Sequence, residues 1–387
     1  MKEEATIKKR TQIPAAKIYF PDSDRKWIHE QLEECLQSGA LTLGKHGRQL
    51  EKEFAESLGV PYAVAVNSGT SALEICLRVL EVQGKEVLVP TNTFFATAAA
   101  VLHAGAKLRF VDVNPETFAI DPESLKRSIT AQTAGVILVH IGGLITHEIS
   151  EIQKICNDRK LFLLEDAAHA HGSLLNGRAA GTFGLAGTFS FYPTKVMTSA
   201  EGGILVTQNK DLYEQALQYR DQGKEGFLTN YHVKLGYNWR LSEPHAIIGL
   251  SQFRRLKEFV SDRNRVAQIY EGLLTGMEQL RVVRPSATAY SNYYKFIALL
   301  DAGVDRKALK TELREKYQIG LSGEVYDTPC HRQPIFQQHV SDPDAFPFAD
   351  DICARHICLP VYVGMTDEDC NRVVDALKTV LSRRSSR

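Results

Sequence analysis

Three groups of residues, far apart in the chain, have the types needed for one kind of chemistry. Lys195 closes the stretch Gly187-Thr-Phe-Ser-Phe-Tyr-Pro-Thr-Lys195 and is followed closely by Ser199-Ala-Glu-Gly-Gly-Ile. Upstream, Asp166 ends the apolar run Leu161-Phe-Leu-Leu-Glu-Asp. Further upstream, Asn67-Ser-Gly-Thr-Ser-Ala-Leu73 joins a short apolar run to a helical pattern. An amine that can form an imine, a carboxylate that can hold a pyridine nitrogen protonated and a turn that can cradle a phosphate are what pyridoxal phosphate chemistry requires.

Each piece has an ordinary alternative. Ser and Thr are standard helix caps, so residues 67–71 in isolation read as a cap. Gly69 permits a tight turn, and Thr70 with Ser71 offers hydroxyls and backbone N–H groups where the helix dipole favours an anion. Lys195 sits among apolar, aromatic and glycine residues, a setting that desolvates an amine and lowers its pKa. Ser190, five residues earlier, can reach the phosphate if the chain turns at Tyr192-Pro193. Phe94 lies just past an apolar run, where an aromatic face can stack on a flat heterocycle; its neighbour Phe95 reads as a core residue. His169 follows Asp166 by three positions and can pack on the ring, reach its phenolic oxygen or brace the carboxylate. His171 reads as a hydrogen-bonded histidine, and Glu165, on the opposite side of its strand, as structural.

These residues need a sheet to hold them. Ala63-Val-Ala-Val, Glu86-Val-Leu-Val, Leu108-Arg-Phe-Val-Asp-Val, Gly135-Val-Ile-Leu-Val-His and Leu161 to Asp166 are strand-like runs, with helical patterns at 71–80 and 97–103. Strands alternating with helices predict βαβ units and a mostly parallel sheet covered on both faces. Thr188-Phe-Ser-Phe and Gly203-Ile-Leu-Val-Thr are too close for a helix between them, which predicts an antiparallel edge. A helical stretch from 243 to 274 leads to an apolar run at 294–300, a helix near 306–316, a strand at 357–360 and a closing helix at 367–381. The expectation is an α/β protein: a mobile tail over 1–15, a large domain over 16–255 and a smaller C-terminal α/β domain over 256–387. Ser382 to Arg387 reads as a second mobile end.

Composition narrows the class. The chain has 387 residues, 44% of them apolar, with Lys+Arg and Asp+Glu both at 46. Zero net charge gives no electrostatic reason for a nucleic-acid or membrane partner. No signal peptide and no membrane-spanning run is evident, so the expected compartment is the cytoplasm. Seven scattered cysteines fit reduced thiols rather than a disulfide framework. Cys353, His356 and Cys358 cluster, but no second ligand pair follows at finger-like spacing, so packing is the expected role and no metal is expected.

The chain resembles, nearly end to end, the DegT/DnrJ/EryC1/StrS family of sugar aminotransferases within fold-type I of the pyridoxal phosphate enzymes. The resemblance rests on Ser68-Gly-Thr-Ser-Ala-Leu, Thr93-Phe-Phe-Ala-Thr97, Phe110-Val-Asp-Val, Glu165-Asp-Ala-Ala-His-Ala170, Gly187-Thr-Phe-Ser-Phe191, Lys195, Glu201-Gly-Gly203 and Gly236-Tyr-Asn-Trp-Arg-Leu241. It implies a large domain built on a seven-stranded-type sheet and a homodimer with two sites at the interface. Lys195 would carry the cofactor, Asp166 would meet its pyridine nitrogen, Phe94 would stack on the ring and His169 would lie near it. Gly69, Thr70 and Ser190 would hold the phosphate, and Asn238 would reach it from the other subunit. Two positions depart: Val196 stands where the family often has Asn, and Ala200 where it often has Gly.

The activity the resemblance implies is amination of a keto sugar, expected to be nucleotide-linked, with L-glutamate as donor. Amination of a keto-cyclitol or related antibiotic precursor remains an alternative. Sugar dehydratases of the same family carry histidine in place of the lysine, so Lys195 speaks against that reaction. A non-catalytic regulatory role is disfavoured by the complete cofactor set. Substrate choice is expected to lie in the segments 324–336 and 38–47.

Overall fold

The computed structural model describes residues 12–383; the sequence-based readings for 1–11 and 384–387 lie outside the described residues. Seven strands form the main sheet, in the spatial order Tyr62–Val66, Gly203–Thr207, Ala186–Ser190, Phe162–Asp166, Thr133–Val139, Glu86–Pro90, Lys107–Val111. Pairings from Ala186–Ser190 through Lys107–Val111 are parallel. Gly203–Thr207 runs antiparallel to both its neighbours. It therefore lies inside the sheet, and the expected antiparallel edge is corrected: Tyr62–Val66 takes the edge. Fully buried runs such as Glu86–Pro90 are what a sheet covered on both faces demands.

Close packing explains several glycines. A Cβ on Gly135 would sit 2.3 Å from the Phe162 ring, and one on Gly203 would sit 2.4 Å from the Ser68 carbonyl carbon. The second contact matters most, because it lets the antiparallel strand press against the turn that starts helix Gly69–Val79. One face of the sheet packs on that helix and on Phe95–His103; the other packs on Lys45–Leu58, Ile149–Asp158 and the long helix Glu243–Leu273. Phe54 holds Phe189 and Phe191 edge-on at centroid distances of 5.0 and 5.9 Å, fixing the strand end that carries Ser190.

The C-terminal part is a three-stranded antiparallel sheet, Leu280–Val282, Phe296–Leu300 and His356–Leu359, with helices Arg306–Tyr317 and Asp367–Ser382. A capping box between Thr366 and Asp369 starts the last helix. Residue 255 falls within Glu243–Leu273, which packs on helices of the large part and on Asp367–Ser382 alike, so the helix spans both units. The tail reading also needs correction at its end. Ile13 is buried, its N–H donates to the Gln318 carbonyl and its own carbonyl accepts from Gly320. A buried apolar side chain with paired backbone groups anchors residues 12–15 rather than leaving them mobile.

Candidate active site

The ends of the parallel strands and the C-terminal part enclose a cavity of about 440 Å³. Its walls include Gly69, Thr70, Phe94, Asp166, His169, Ser190 and Lys195, so seven of the eight residues singled out from the sequence meet in one place. The eighth, Asn238, is exposed and does not line this cavity. It lies next to Trp239, whose carbonyl accepts the Asn67 N–H at 2.9 Å.

Helix Gly69–Val79 is capped by Ser68, whose Oγ accepts from the Ser71 N–H at 3.1 Å. Ser71 is turned inward, donating its hydroxyl to Asn67 Oδ1 at 2.6 Å. Gly69 and Thr70 are left at the cavity wall with the free N–H groups of a helix start. A Cβ on Gly69 would lie 3.0 Å from the Ser190 Cβ, so the absence of a side chain lets Ser190 close on this turn. The cradle fits a phosphate.

Asp166 emerges at the end of its strand and is buried. Its Oδ2 accepts from the Thr97 hydroxyl at 2.7 Å, and its Oδ1 accepts from the Ala168 N–H at 3.1 Å. Thr97 in turn meets the Thr93 hydroxyl at 2.8 Å. These donors hold the carboxylate in one orientation, which suits a pyridine N–H as its remaining partner.

Lys195 places its Nζ 5.0 Å from the centroid of the Tyr294 ring. Burial is the main force on the amine and pushes its pKa down to about 8, with the Lys295 charge acting in the same direction and Asp166 opposing. A lysine poised near 8 is readily available as a free amine close to neutral pH. His169 is buried and held well below the usual histidine pKa, by burial first and the Lys195 charge second. The Gly142 N–H points at its Nδ1 at 3.3 Å, which assigns the proton to Nε2, facing the Tyr326 hydroxyl at 3.3 Å.

Phe94 stands at the start of helix Phe95–His103, 57% exposed, with its ring roughly parallel to Tyr326 at 5.9 Å. Phe95 stays out of the cavity but is not a core residue: it is 47% exposed, with its ring against Phe336, because the helix emerges at the surface at Phe94 and Phe95 and turns inward only from Thr97. His171 also differs from its reading. It packs on Phe189 and Phe191, with no protein hydrogen bond at either ring nitrogen among the described residues. Glu165 accepts from His140, Gly181 and Gly184 inside the protein. His356 accepts the Val325 N–H at Nε2 and pins the wall segment beside Tyr326, while Cys353 and Cys358 are buried thiols.

Sequence reading missed Thr97, Tyr294, Lys295 and Tyr326. The pair Tyr294-Lys295 opens an apolar run and reads as the start of a strand, with no local signal of a site role. Tyr326 falls in the segment 324–336 flagged for substrate choice, whereas segment 38–47 does not line the cavity. Its turn is instead held by Glu243, which accepts from the N–H groups of Gly44, His46 and Gly47.

A mostly parallel sheet with a lysine amine, a strand-end carboxylate and a phosphate cradle around one cavity defines a pyridoxal phosphate-dependent enzyme of fold type I. Residues 22–378 match the DegT/DnrJ/EryC1/StrS aminotransferase family, and the chain belongs to it. It is 31% identical over 370 residues to GDP-perosamine synthase of Vibrio cholerae, covering 95% of this chain and 98% of the relative. It is 34% identical over 351 residues to the UDP-N-acetyl-3-dehydro-alpha-D-glucosamine 3-aminotransferase of Acidithiobacillus ferrooxidans, covering 90% and 92%. Among solved structures, Helicobacter pylori PseC, an aminotransferase involved in the biosynthesis of pseudoaminic acid, superposes with a TM-score of 0.88 at 26% identity, covering 96% of this chain and all of that one. Among the described residues no helix is long and apolar enough to cross a membrane.

Proposed function

We propose that the enzyme transfers an amino group to the ketone of a nucleotide-linked sugar, with L-glutamate as donor. The observation that carries this reading is the Lys195 amine, lowered to about 8, sharing a cavity with the Asp166 carboxylate and the Gly69–Thr70 cradle. Bound in that cavity, pyridoxal phosphate supplies the electron sink that allows a C–H bond next to nitrogen to break. With the cofactor in place, the Lys195 amine would take the proton from the donor carbon and return it. Asp166, oriented by Thr97, keeps the pyridine nitrogen protonated. Ser190, Gly69 and Thr70 hold the phosphate, Phe94 covers the ring, and His169 stands beside it as a neutral donor. A lysine can both form the imine and shuttle the proton, whereas the histidine of a dehydratase can do only the second.

The relatives' names support a nucleotide sugar as acceptor. A homodimer, with Asn238 reaching the partner's phosphate site, accords with the exposed apolar side chains on the same segment: Leu228 and Leu235 are 94% and 93% exposed, with Phe227 and Tyr231 beside them. Mixing Lys195→Ala with Asn238→Ala protein tests this arrangement, because some mixed dimers would regain one intact site. The cytoplasm is the proposed compartment.

The reaction is tested by adding glutamate alone to the yellow protein. One equivalent of 2-oxoglutarate should appear as the colour is lost, and a matching keto sugar nucleotide should restore it. Loss of a sugar hydroxyl with no nitrogen retained in the product would favour dehydration instead.

A further inference from the structure

A second cavity, about 410 Å³, adjoins the first. Thr194, Lys195, Tyr294 and Lys295 line both, so these residues form the partition between them. Among the described residues the second cavity is lined by four cationic side chains, Lys17, Lys195, Arg263 and Lys295, and by no Asp or Glu.

Among the described residues, none of the three inner cations forms a direct ion pair with a carboxylate; Asp166, Asp262 and Glu324 act on Lys195, Arg263 and Lys295 only from a distance. Arg263 is buried and spends its N–H groups on the carbonyls of Asn292, Tyr293 and Tyr294 at 2.9–3.3 Å. It thereby fixes the backbone that presents Tyr294 and Lys295 while keeping its charge. Lys295 donates to the Gly323 carbonyl at 3.0 Å and lies 5.2 Å from the Tyr294 centroid, the same ring that Lys195 approaches. The neighbouring carboxylate, Glu324, is engaged by Lys310 and Arg306. Gathering positive groups away from water without a directly paired carboxylate is costly, and burial accordingly lowers the Lys295 pKa. An anion seated among them removes that cost.

We infer that the second cavity is an oxyanion subsite of the active site, in which Lys295 anchors a carboxylate or phosphate group of a substrate beside Lys195. This rests on Lys195 being the reacting amine. The anion has two sources, a carboxylate of the amino donor or the diphosphate of the sugar nucleotide, and both offer the oxygens that an ammonium recognises. Lys295 is then a specificity residue that touches substrate, while Arg263 positions it.

The test is calorimetric titration of the cofactor-loaded protein with glutarate, and separately with inorganic pyrophosphate. Filling the cofactor site keeps its phosphate cradle out of the measurement, and neither probe can react. At least one probe should bind the wild-type protein; Lys295→Met should weaken it by about tenfold or more, and Lys295→Arg should stay within about threefold of wild type. Glutarate binding, with a raised KM for glutamate in Lys295→Met and an unchanged KM for the keto sugar, assigns the site to the donor. Pyrophosphate binding with the converse pattern assigns it to the acceptor. The inference is overturned if neither probe binds, if Lys295→Met binds as well as wild type, or if folded Lys295→Arg loses as much as Lys295→Met. Because the titration needs no turnover, it is decided separately from the transamination reading.

Discussion

The two walls of the active site are built differently. On the side of the large sheet, Gly69, Asp166, Ser190 and Lys195 stand at strand ends or on the turns beside them, each within a short, dense motif. On the side of the C-terminal part, Tyr294, Lys295 and Tyr326 come from connecting segments and are held by distant groups: Arg263 on the backbone at 292–294, and His356 on Val325. The groups proposed to hold the cofactor sit on the sheet, the more regular frame, and the groups facing them, on connecting segments, are placed where substrate preference can vary.

The largest expected effect is on the sheet side. Lys195→Ala should slow the glutamate half-reaction by at least about 10³-fold, since it removes both the nucleophile and the proton carrier. Rapid-mixing measurement of the colour change would reveal it, and a rate within tenfold of wild type would break the proposed division. Thr97→Val removes a donor to Asp166 and should cost roughly tenfold in the same step. On the other wall, Tyr326→Phe should change KM for the keto sugar by several-fold, about the scale of one hydroxyl contact, while leaving the donor half-reaction within about twofold. An equal loss in both half-reactions would place Tyr326 in the shared chemistry.

Acidity sharpens the same contrast. The folded Lys195 pKa is lowered from 10.5 to about 8, so the amine loses its proton in the range above 8 rather than above 10. Capture of pyridoxal phosphate by cofactor-free protein should therefore accelerate as pH rises to about 8 and then level off. For stability the sign is the reverse of a favourable ion pair: a depressed lysine pKa means that the charged form is disfavoured by folding, a cost fully present below about pH 8 and relieved progressively as pH rises from about 8 to 10.5.

The difference between the walls also governs what the sequence reveals. Period and punctuation identify the strands, and the motifs around Gly69, Asp166 and Lys195 identify the cavity they share. Tyr294 and Lys295 were hidden because a residue whose role depends on long-range packing carries no local pattern. The internal antiparallel strand reads as an edge in the sequence because local spacing shows direction but not the neighbour that Tyr62–Val66 supplies. Phe95 and His171 show the same limit: an aromatic beside a functional one has no local sign of which way it faces.

The smallest effect concerns Ala200, where the family often has glycine. Ala200 adopts φ +68°, and it lies just before the Gly202–Gly203 pair that borders the cradle. A left-handed backbone costs an alanine about 1–2 kcal/mol, and glycine loses about 0.4–1 kcal/mol through its freer unfolded chain. Ala200→Gly should thus stabilise the protein by a net fraction of a kcal/mol up to about 1 kcal/mol, measured by chemical denaturation. A loss of stability would show that the surrounding turn relieves the strain.

Two amines, Lys195 and Lys295, approach the same Tyr294 ring at 5.0 and 5.2 Å, yet only the first is assigned the bond to the cofactor. Borohydride reduction of the purified yellow protein, followed by peptide mass mapping, distinguishes them directly. The account predicts the reduced cofactor on Lys195 and none on Lys295; a label on Lys295, or on any other lysine, would contradict it.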